Sequence, residues 1–279
     1  MVGGGIMTVS DNTHIPRLDP WSRLRVHTSA RIGLGRVGDG LPTSQLLEFQ
    51  MAHARARDSV HMPFEGENLA RDIADLGLPV VPVQSRAANR AEYLQRPDYG
   101  RTLDEDSKAR LLSAQGDAAT EGAAAGDYDV VFILADGLSA RAVHENGAEM
   151  LRQSLGLLDE SWKIGPVVIA SQARVALGDE IASRLKAKIS IILIGERPGL
   201  SSADSLGAYL TWAPKPGCSN AQRNCISNIR PAGFPVGEAA RKLVYLMGEA
   251  RKNGLSGVHL KDNYSALHLV KAPSPALPE

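Results

Sequence analysis

Cysteines are scarce in this chain: only Cys218 and Cys225 occur among its 279 residues, with no CxxC motif or paired Cys/His pattern around them. So few cysteines are typical of a reducing compartment and argue against a structural zinc site. Cys225 has no evident base beside it in the sequence, so we expect it to pack as a small buried side chain and not to act as a nucleophile. We therefore predict neither a metal ligand nor a catalytic residue in this chain.

An excess of charge is also lacking, because 31 Lys and Arg residues balance 31 Asp and Glu residues. Without a basic stripe interleaved with aromatic residues, we expect no nucleic-acid partner. The longest apolar run covers only residues 130–135, and the first seven residues lack the basic start and apolar stretch of a signal peptide. We therefore expect no membrane association and a location in the cytoplasm.

Three continuous apolar runs dominate the second half of the chain: VVFILA at 130–135, VVIA at 167–170 and IILI at 191–194. Such runs are typical of strands that are buried on both faces. Helical patterns at about 140–155 and 177–188 separate them. This β-α-β-α-β order predicts a parallel sheet with right-handed crossovers. A mixed stretch and a long helix at about 236–252 follow.

The first half of the chain has a helical character instead. Patterns with helical spacing predict helices near 43–60 and 64–76, and a short one at about 104–115 within a charged connector. The predicted class is α/β: an N-terminal helical region followed by a Rossmann-like domain with a mainly parallel sheet flanked by helices. The predicted segments are a flexible arm (1–28), the helical region and connector (29–127), the Rossmann-like domain (128–262) and a flexible tail (263–279).

Residues 33–38, GLGRVG, match the GxGxxG pattern of dinucleotide-binding proteins, and Asp58 follows about where a ribose-binding acid would lie. That fingerprint requires a buried strand before it and a helix that opens within it. Here the preceding residues are largely polar, and the segment 39–42, DGLP, delays the helix. We interpret the motif as a glycine-rich turn and not as a nicotinamide site.

Polar side chains follow each of the three predicted strands. The loops read DGLS at 136–139, SQARV at 171–175 and GERPG at 195–199. Ligands of open α/β sheets bind outside the carboxyl ends of the strands, where such loops converge. Their hydroxyls, amide, guanidiniums and carboxylates suit a ligand that has many amides and a phosphate. Ordinary loop polarity, with Glu196 and Arg197 as a solvated pair, explains the same pattern equally well.

The histidines give weaker signals. His53 and His61 lack the carboxylate and the spacing of a zinc-binding HExxH helix, so surface or partner contacts are expected for them. His144 and Gly147 match the end of DxHxxG, the signature of proteins in which a histidine replaces the benzimidazole below cobalt. Ala142 occupies the position of the aspartate in that signature. A histidine-ligated corrinoid is therefore not predicted.

Five further segments occur in a distinctive order: TSARIGLGRVGDGLPT from residue 28, HARARDSVH from 53, ADGLSARAVHENG from 135, GERPGLSSADSLG from 195 and CISNIRPAGFP from 225. Together they resemble the light chain, or small subunit, of ethanolamine ammonia-lyase, and the resemblance extends over about residues 28–260. It implies a lyase of ethanolamine catabolism in which a TIM-barrel large subunit binds ethanolamine. The small subunit would then cover the lower side of adenosylcobalamin, a cobalt corrinoid.

The resemblance also implies the chemistry and the residues. Homolysis of the Co–C bond begins radical deamination of ethanolamine to acetaldehyde and ammonia, and this chain would bind and orient the cofactor and be inactive alone. The cobalamin-contacting positions of the family correspond to Val175, Glu196 and Cys225. Residues 29–127 would dock on the large subunit. Both a free cytoplasmic complex and one inside a bacterial microcompartment are compatible with this interpretation.

Two other classes of protein are compatible with the residue patterns. A freestanding Rossmann-like enzyme would bind a nucleotide or nicotinamide cofactor and turn over a substrate without a partner. A purely structural adaptor would bind nothing in the three loops, so that Glu196→Ala would leave cofactor affinity intact.

Overall fold

A computed structural model describes residues 21–28, 30–117 and 128–264. The chain forms two compact units, of which the first ends at Met51 and the second begins at Ala52. The predicted flexible arm and tail lie outside the described residues, except for 21–28 and 263–264. The helices are α1 (Ser22–Arg25), α2 (Thr43–His61), α3 (Gly66–Asp72), α4 (Arg90–Gln95), α5 (Glu105–Asp117), α6 (Ala140–Gly156), α7 (Leu177–Arg184) and α8 (Val236–Asn253). The strands are β1 (Val80–Gln84), β2 (Tyr128–Ala135), β3 (Val167–Ser171), β4 (Ala187–Gly195), β5 (Leu206–Trp212) and β6 (Arg223–Ile229).

In the first unit, residues 33–36 of the GLGRVG segment have no regular secondary structure, and the segment ends in a turn that Val37 and Gly40 flank. Gly33, Gly35 and Gly38 all have positive φ angles, of 55°, 78° and 60°. Val37 and Gly40 form an isolated antiparallel bridge before α2 begins. Glycine adopts positive φ without steric cost, which explains its repetition in this segment. The motif lies neither after a strand nor at the start of a helix, as a dinucleotide fingerprint requires.

The second unit contains a six-stranded sheet in the order β1-β3-β2-β4-β5-β6. The pairs β1–β3, β2–β3 and β2–β4 are parallel, whereas β4–β5 and β5–β6 are antiparallel. The predicted α/β class is confirmed. The sheet is mixed, because the stretch at 206–230 supplies two antiparallel strands that the prediction of a mainly parallel sheet did not include.

Strand β1 was also not predicted, since it lies in the segment assigned to helices and a connector. It is an edge strand that contains Pro82, which is exposed. Proline cannot donate a hydrogen bond to a neighbouring strand and is tolerated mainly at sheet edges. Because Pro82 interrupts the apolar run, the sequence pattern did not indicate this strand. The helix predicted at 177–188 ends earlier, as α7, because the chain enters β4 at Ala187.

Helices cover both faces of the sheet. Val130, Phe132 and Leu134 of β2 belong to one core cluster with residues of α3, α6 and α8, while Val131 and Ile133 belong to a second cluster with residues of α5 and α7. A strand that is buried on both faces is apolar at every position, which explains the VVFILA run.

The connections of the parallel strands create a topological switch point. The chain leaves β2 through α6 to β3 on one side, then returns through α7 to β4 on the other side of β2. The loops that follow β2, β3 and β4 therefore meet at the carboxyl edge of the sheet. In open α/β sheets, ligands bind in the crevice at such a point.

Near the start of β2, Asp129 is buried among cationic groups. Its carboxylate accepts hydrogen bonds from Lys188 Nζ at 2.9 Å and from the backbone N–H of Lys163 at 3.1 Å, and Arg251 lies 3.4 Å away. Burial alone would raise the pKa of Asp129, but these groups together hold it below its ordinary value. The ionised form is therefore the one that stabilises the folded state.

We expect Asp129→Asn to lower the free energy of unfolding by about 1.5–3 kcal/mol at pH 7, the usual contribution of hydrogen bonds to a charged group. Because the folded-state pKa of Asp129 is depressed, its contribution is complete above the unfolded-state pKa of about 4 and is lost as pH falls through the folded-state pKa. The difference in the free energy of unfolding between the wild type and Asp129→Asn, measured by urea denaturation, should therefore become smaller below pH 4. The matched control is Asp58→Asn, because Asp58 is exposed and lies 4.0 Å from Arg57, and it should change stability by less than about 1 kcal/mol. Equal losses in both variants would contradict the prediction.

Candidate functional site

Asp136 ties together the loops that follow β2 and β3. One carboxylate oxygen accepts hydrogen bonds from the backbone N–H groups of Gly137 at 2.8 Å and Ala173 at 2.9 Å. The other accepts from the N–H of Gln172 at 2.9 Å and from Arg90 at 3.3 Å. The side chain is almost fully buried, and burial raises its pKa to about 6 in spite of these donors. Through these hydrogen bonds, Asp136 holds the loops after β2 and β3 in a fixed position relative to each other.

A cleft of about 370 Å³ opens between the three loops. Its walls combine apolar, aromatic and charged side chains from the ends of β2, β3 and β4 and from two neighbouring elements. They are Tyr93, Gly137, Leu138, Arg174, Val175, Ile194, Gly195, Glu196, Arg197 and Tyr209. An apolar wall with a few convergent polar groups is the usual composition of a ligand site.

Arg174 is held at the cleft by the buried ring of Tyr93, in α4. The guanidinium lies 4.2 Å from the ring centroid, and the Tyr93 hydroxyl donates to the carbonyl oxygen of Ala173 at 3.0 Å. Burial raises the pKa of Tyr93, so the hydroxyl stays protonated as that donor. Gly100 supports the same arrangement, since a Cβ at that position would lie 2.8 Å from Arg174 Cγ. Arg174 therefore has little freedom to leave the cleft.

Glu196 is half-buried, and its carboxylate is fixed by three donors. Ser205 and Ser227 donate their hydroxyls to its oxygens at 2.6 Å and 2.7 Å, and the backbone N–H of Asn228 donates at 3.1 Å. Within the described part of the chain, Glu196 forms no ion pair with Arg197. The alternative of a solvated Glu196–Arg197 pair is therefore wrong. A carboxylate accepts about four hydrogen bonds, so Glu196 can accept one more from a ligand.

Cys225 lies beside the cleft, in β6, where it is paired with Tyr209 of β5. The expectation of a buried residue is wrong, because Cys225 is exposed at the edge of the sheet. Desolvation by surrounding atoms and the nearby charge of Glu196 raise the pKa of the thiol, although a hydrogen bond from Tyr209 opposes them. The thiol is therefore protonated at neutral pH and suits packing better than nucleophilic attack.

The structure thus brings Val175 and Glu196 into one cleft and places Cys225 next to it. Tyr93 and Tyr209 were missed by sequence reasoning. Tyr209 could have been found if the alternation in β5 had been recognised, whereas nothing local to Tyr93 signals its role. His144 serves elsewhere, because it stacks on Phe64 with centroids 5.5 Å apart and accepts a hydrogen bond from the N–H of Glu65.

The described residues include neither a metal-binding cluster nor a helix that could span a membrane. They contain no group of three His, Cys, Asp or Glu side chains placed to hold a metal ion. None of the helices in 21–28, 30–117 and 128–264 combines the length and apolar character that crossing a membrane requires.

Comparison with known proteins gives a consistent result. The sequence model of the ethanolamine ammonia-lyase light chain family matches residues 18–261. The ethanolamine ammonia-lyase small subunit of Xanthomonas campestris pv. campestris is 50% identical over 248 residues, which cover 88% of this chain and 89% of that protein. The protein of the same name from Pseudomonas aeruginosa is 49% identical over 258 residues, with 90% and 92% covered, and that from Pseudomonas putida is 50% identical over 246 residues, with 88% of each chain covered.

Proposed function

Since the chain belongs to the ethanolamine ammonia-lyase light chain family, we propose that it is the small subunit of that enzyme and binds adenosylcobalamin jointly with a large subunit. The observation that carries this proposal is the cleft at the switch point of the sheet. Val175 and Glu196, which the family resemblance assigns to cofactor contact, both line it. Cys225, the third assigned residue, lies beside it through its pairing with Tyr209.

The residues of the cleft fit a corrinoid chemically. A corrin ring carries many side-chain amides, and the free acceptor capacity of Glu196 can take a hydrogen bond from one of them. Val175 offers apolar contact, and the protonated thiol of Cys225 packs as a small soft group. The Nε atom of Arg174 is buried and has no hydrogen-bond partner among the residues that the structure describes. A buried donor without a partner is costly, which favours a ligand acceptor at this position.

The size of the cleft supports a shared cofactor. At about 370 Å³, it is far smaller than adenosylcobalamin, so it can enclose only part of that molecule. We propose that the large subunit encloses the remainder. Bound adenosylcobalamin would supply the radical chemistry that deaminates ethanolamine to acetaldehyde and ammonia. The residues of this chain would bind the corrinoid, orient it and keep water from it.

The substrate site belongs to the partner in this proposal. An open six-stranded mixed sheet does not close into a barrel, so we propose that a TIM-barrel large subunit binds ethanolamine and that this chain is inactive alone. Residues 29–127 would form the docking region, and 128–262 the Rossmann-like, cobalamin-contacting domain. Exposed apolar side chains in the first half of α2 support docking there: Leu46, Leu47, Phe49 and Met51. The complex would act in the cytoplasm, free or within a bacterial microcompartment.

The test compares this full chain, the cognate large subunit and their mixture. Cobalamin retention is measured by absorbance after gel filtration, and acetaldehyde release is measured with ethanolamine as the substrate. We expect only the mixture to retain adenosylcobalamin and to release acetaldehyde. Activity of this chain alone, or a mixture no different from the large subunit alone, would overturn the proposal.

The role of Glu196 can be tested in the same complex. We expect Glu196→Ala to weaken adenosylcobalamin binding roughly ten- to hundredfold, because a hydrogen bond to a charged group contributes about 1.5–3 kcal/mol. Assembly with the large subunit should change little. The control is Glu145→Ala, which removes an exposed carboxylate that is paired with Arg141 on α6. If Glu196→Ala kept full affinity, the chain would be a structural adaptor.

A further inference from the structure

Arg90, the first residue of α4, connects the end of α2 to a wall of the cleft. Its Nε donates a hydrogen bond to the carbonyl oxygen of Val60 at 2.7 Å, and its Nη1 donates to the carbonyl oxygen of Gly137 at 2.8 Å. Val60 lies in the last turn of α2, whereas Gly137 lies in the loop after β2 and lines the cleft. One guanidinium therefore holds both elements.

The same guanidinium also supports the loop after β3. Its Nη1 lies 3.3 Å from the carboxylate of Asp136, which accepts hydrogen bonds from the N–H groups of Gln172 and Ala173. Its Cζ lies 4.7 Å from the ring centroid of Tyr93, whose hydroxyl donates to the carbonyl oxygen of Ala173. The side chain of Arg90 is only 17% exposed and that of Asp136 1%, so solvent screens their attraction little.

Both loops adopt backbone conformations that depend on their surroundings. Gln172 has a φ of 56°, in the left-handed region that strains a residue other than glycine. Gly137 also has a φ of 56°, and a Cβ at this position would overlap the carbonyl oxygen of Gly195. A strained conformation persists only while neighbouring contacts hold it. The two loops can therefore relax when a supporting contact is lost.

At the other end of the connection, Arg90 caps α2. The last carbonyl groups of a helix have no partner within the helix, and a cation near them also interacts favourably with the helix dipole. Arg90 supplies both a donor and a charge to the carbonyl end of α2. Arg55 and Arg57 are exposed on the same half of this helix. A partner that binds α2 and restricts its motion would thus restrict Arg90 as well.

We propose that Arg90 is a positioning residue through which docking of the large subunit on α2 orders the loops of the cleft. This inference rests on the proposed function, because that proposal places the docking region within residues 29–127. Arg90 does not belong to the described residues that line the cleft, so it acts through Gly137 and Asp136 and not by contact with a ligand. Docking and cofactor binding would then be coupled through this chain.

The test measures hydrogen–deuterium exchange in the full chain alone and in its complex with the cognate large subunit, both without cofactor. The relevant peptides contain the N–H groups of Gly137, Gln172 and Ala173, which exchange when the loops open. We expect docking to slow their exchange about tenfold in the wild type, which lies within the usual strength of coupling between two sites. In Arg90→Met, docking should slow it by less than about twofold.

Two further variants separate positioning from stability. Arg90→Lys keeps a positive charge beside Asp136, but an ammonium lacks the planar fork that reaches two acceptors in fixed directions. It should retain more of the stability to urea than Arg90→Met, yet it should also lose the effect of docking on exchange. The matched control is Arg96→Met, at the other end of α4, where Arg96 is exposed and lies 2.7 Å from Asp98. This variant should keep the tenfold slowing.

The inference would be overturned if docking slowed exchange equally in the wild type and in Arg90→Met, or if Arg90→Lys restored the full effect. Absence of slowing in the wild type would overturn it too. A complex that assembles but does not retain adenosylcobalamin would contradict the proposed function alone, since the exchange measurement without cofactor would still decide the role of Arg90. Failure of the two chains to assemble would refute both.

Discussion

Replacing Asp179 with alanine should lower the free energy of unfolding by about 3–5 kcal/mol, because it leaves the guanidinium of Arg223 buried without its counter-ion. The side chains of Asp179 and Arg223 are only 2% and 3% exposed. Arg223 also donates to the hydroxyl of Thr211 at 3.3 Å and to the carbonyl oxygen of Cys218 at 2.6 Å. The pair thus links the first turn of α7 to β5, to β6 and to the loop before β6.

The loss of stability in Asp179→Ala is expected to be large because the ion pair is buried. Breaking an exposed ion pair provides the comparison that tests this cause. Glu145→Ala breaks the ion pair with Arg141, whose side chain is 39% exposed, and should cost less than about 1 kcal/mol. The double replacement Asp179→Leu with Arg223→Met should recover much of the loss, since it removes both charges from the interior. Urea denaturation followed by circular dichroism measures all three. A loss below 1 kcal/mol in Asp179→Ala would show that the pair is solvated.

The central part of the fold was predictable because its residues are buried on both faces. The VVFILA, VVIA and IILI runs gave β2, β3 and β4, and helical spacing gave α6 and α8 close to their observed bounds. A strand with two buried faces has little choice of residue, so the apolar run alone identifies it. Burial on both faces is therefore the reason that the parallel strands β2, β3 and β4 could be predicted from the sequence.

The edges of the sheet could not be predicted for the opposite reason. Four of the seven residues of β6 are exposed or half-exposed, and Asn224, Ser227 and Asn228 give it the composition of a loop. Its partner β5 contains Gly207, which weakens a strand pattern. Strand β6 pairs with β5 at the edge of the sheet, and only this long-range pairing identifies β6, because its own residues show no clear alternation. The contacts of Cys225 with Tyr209 were hidden in the same way.

The site was predictable to the extent that topology determines it. Loops after parallel strands must converge, so the positions of Val175 and Glu196 followed from the order of elements. Tyr93 reaches the site from α4, 80 residues before its acceptor Ala173 in the chain, through a contact that no local pattern encodes. The three donors to Glu196 come from the loop before β5 and from β6, so the fixed position of its carboxylate could be seen only in the structure.

Gly195→Ala should be about as disruptive as the loss of Asp179, lowering the free energy of unfolding by about 3 kcal/mol through overpacking. Gly195 ends β4 where the loop after β2 crosses it, and its carbonyl oxygen accepts a hydrogen bond from the N–H of Leu138 at 2.9 Å. A Cβ at this position would overlap the carbonyl oxygen of Ser139 and lie 2.6 Å from that of Asp136. Both neighbours are backbone atoms, so the loops themselves must separate.

That separation should also reduce cofactor retention by the complex, because Leu138 and Glu196 flank the crossing and both line the cleft. The matched control is Gly248→Ala in α8, where a Cβ meets no atom within 4 Å. In an exposed helix interior this change should raise the free energy of unfolding by about 0.5–1 kcal/mol, since alanine restricts the unfolded chain more than glycine does. In urea denaturation, the added methyl group should therefore lower the free energy of unfolding at position 195 and raise it at position 248. If Gly195→Ala proved as harmless as Gly248→Ala, the two loops would not be in backbone contact, and the cleft would lack the shape that the proposed cofactor site requires.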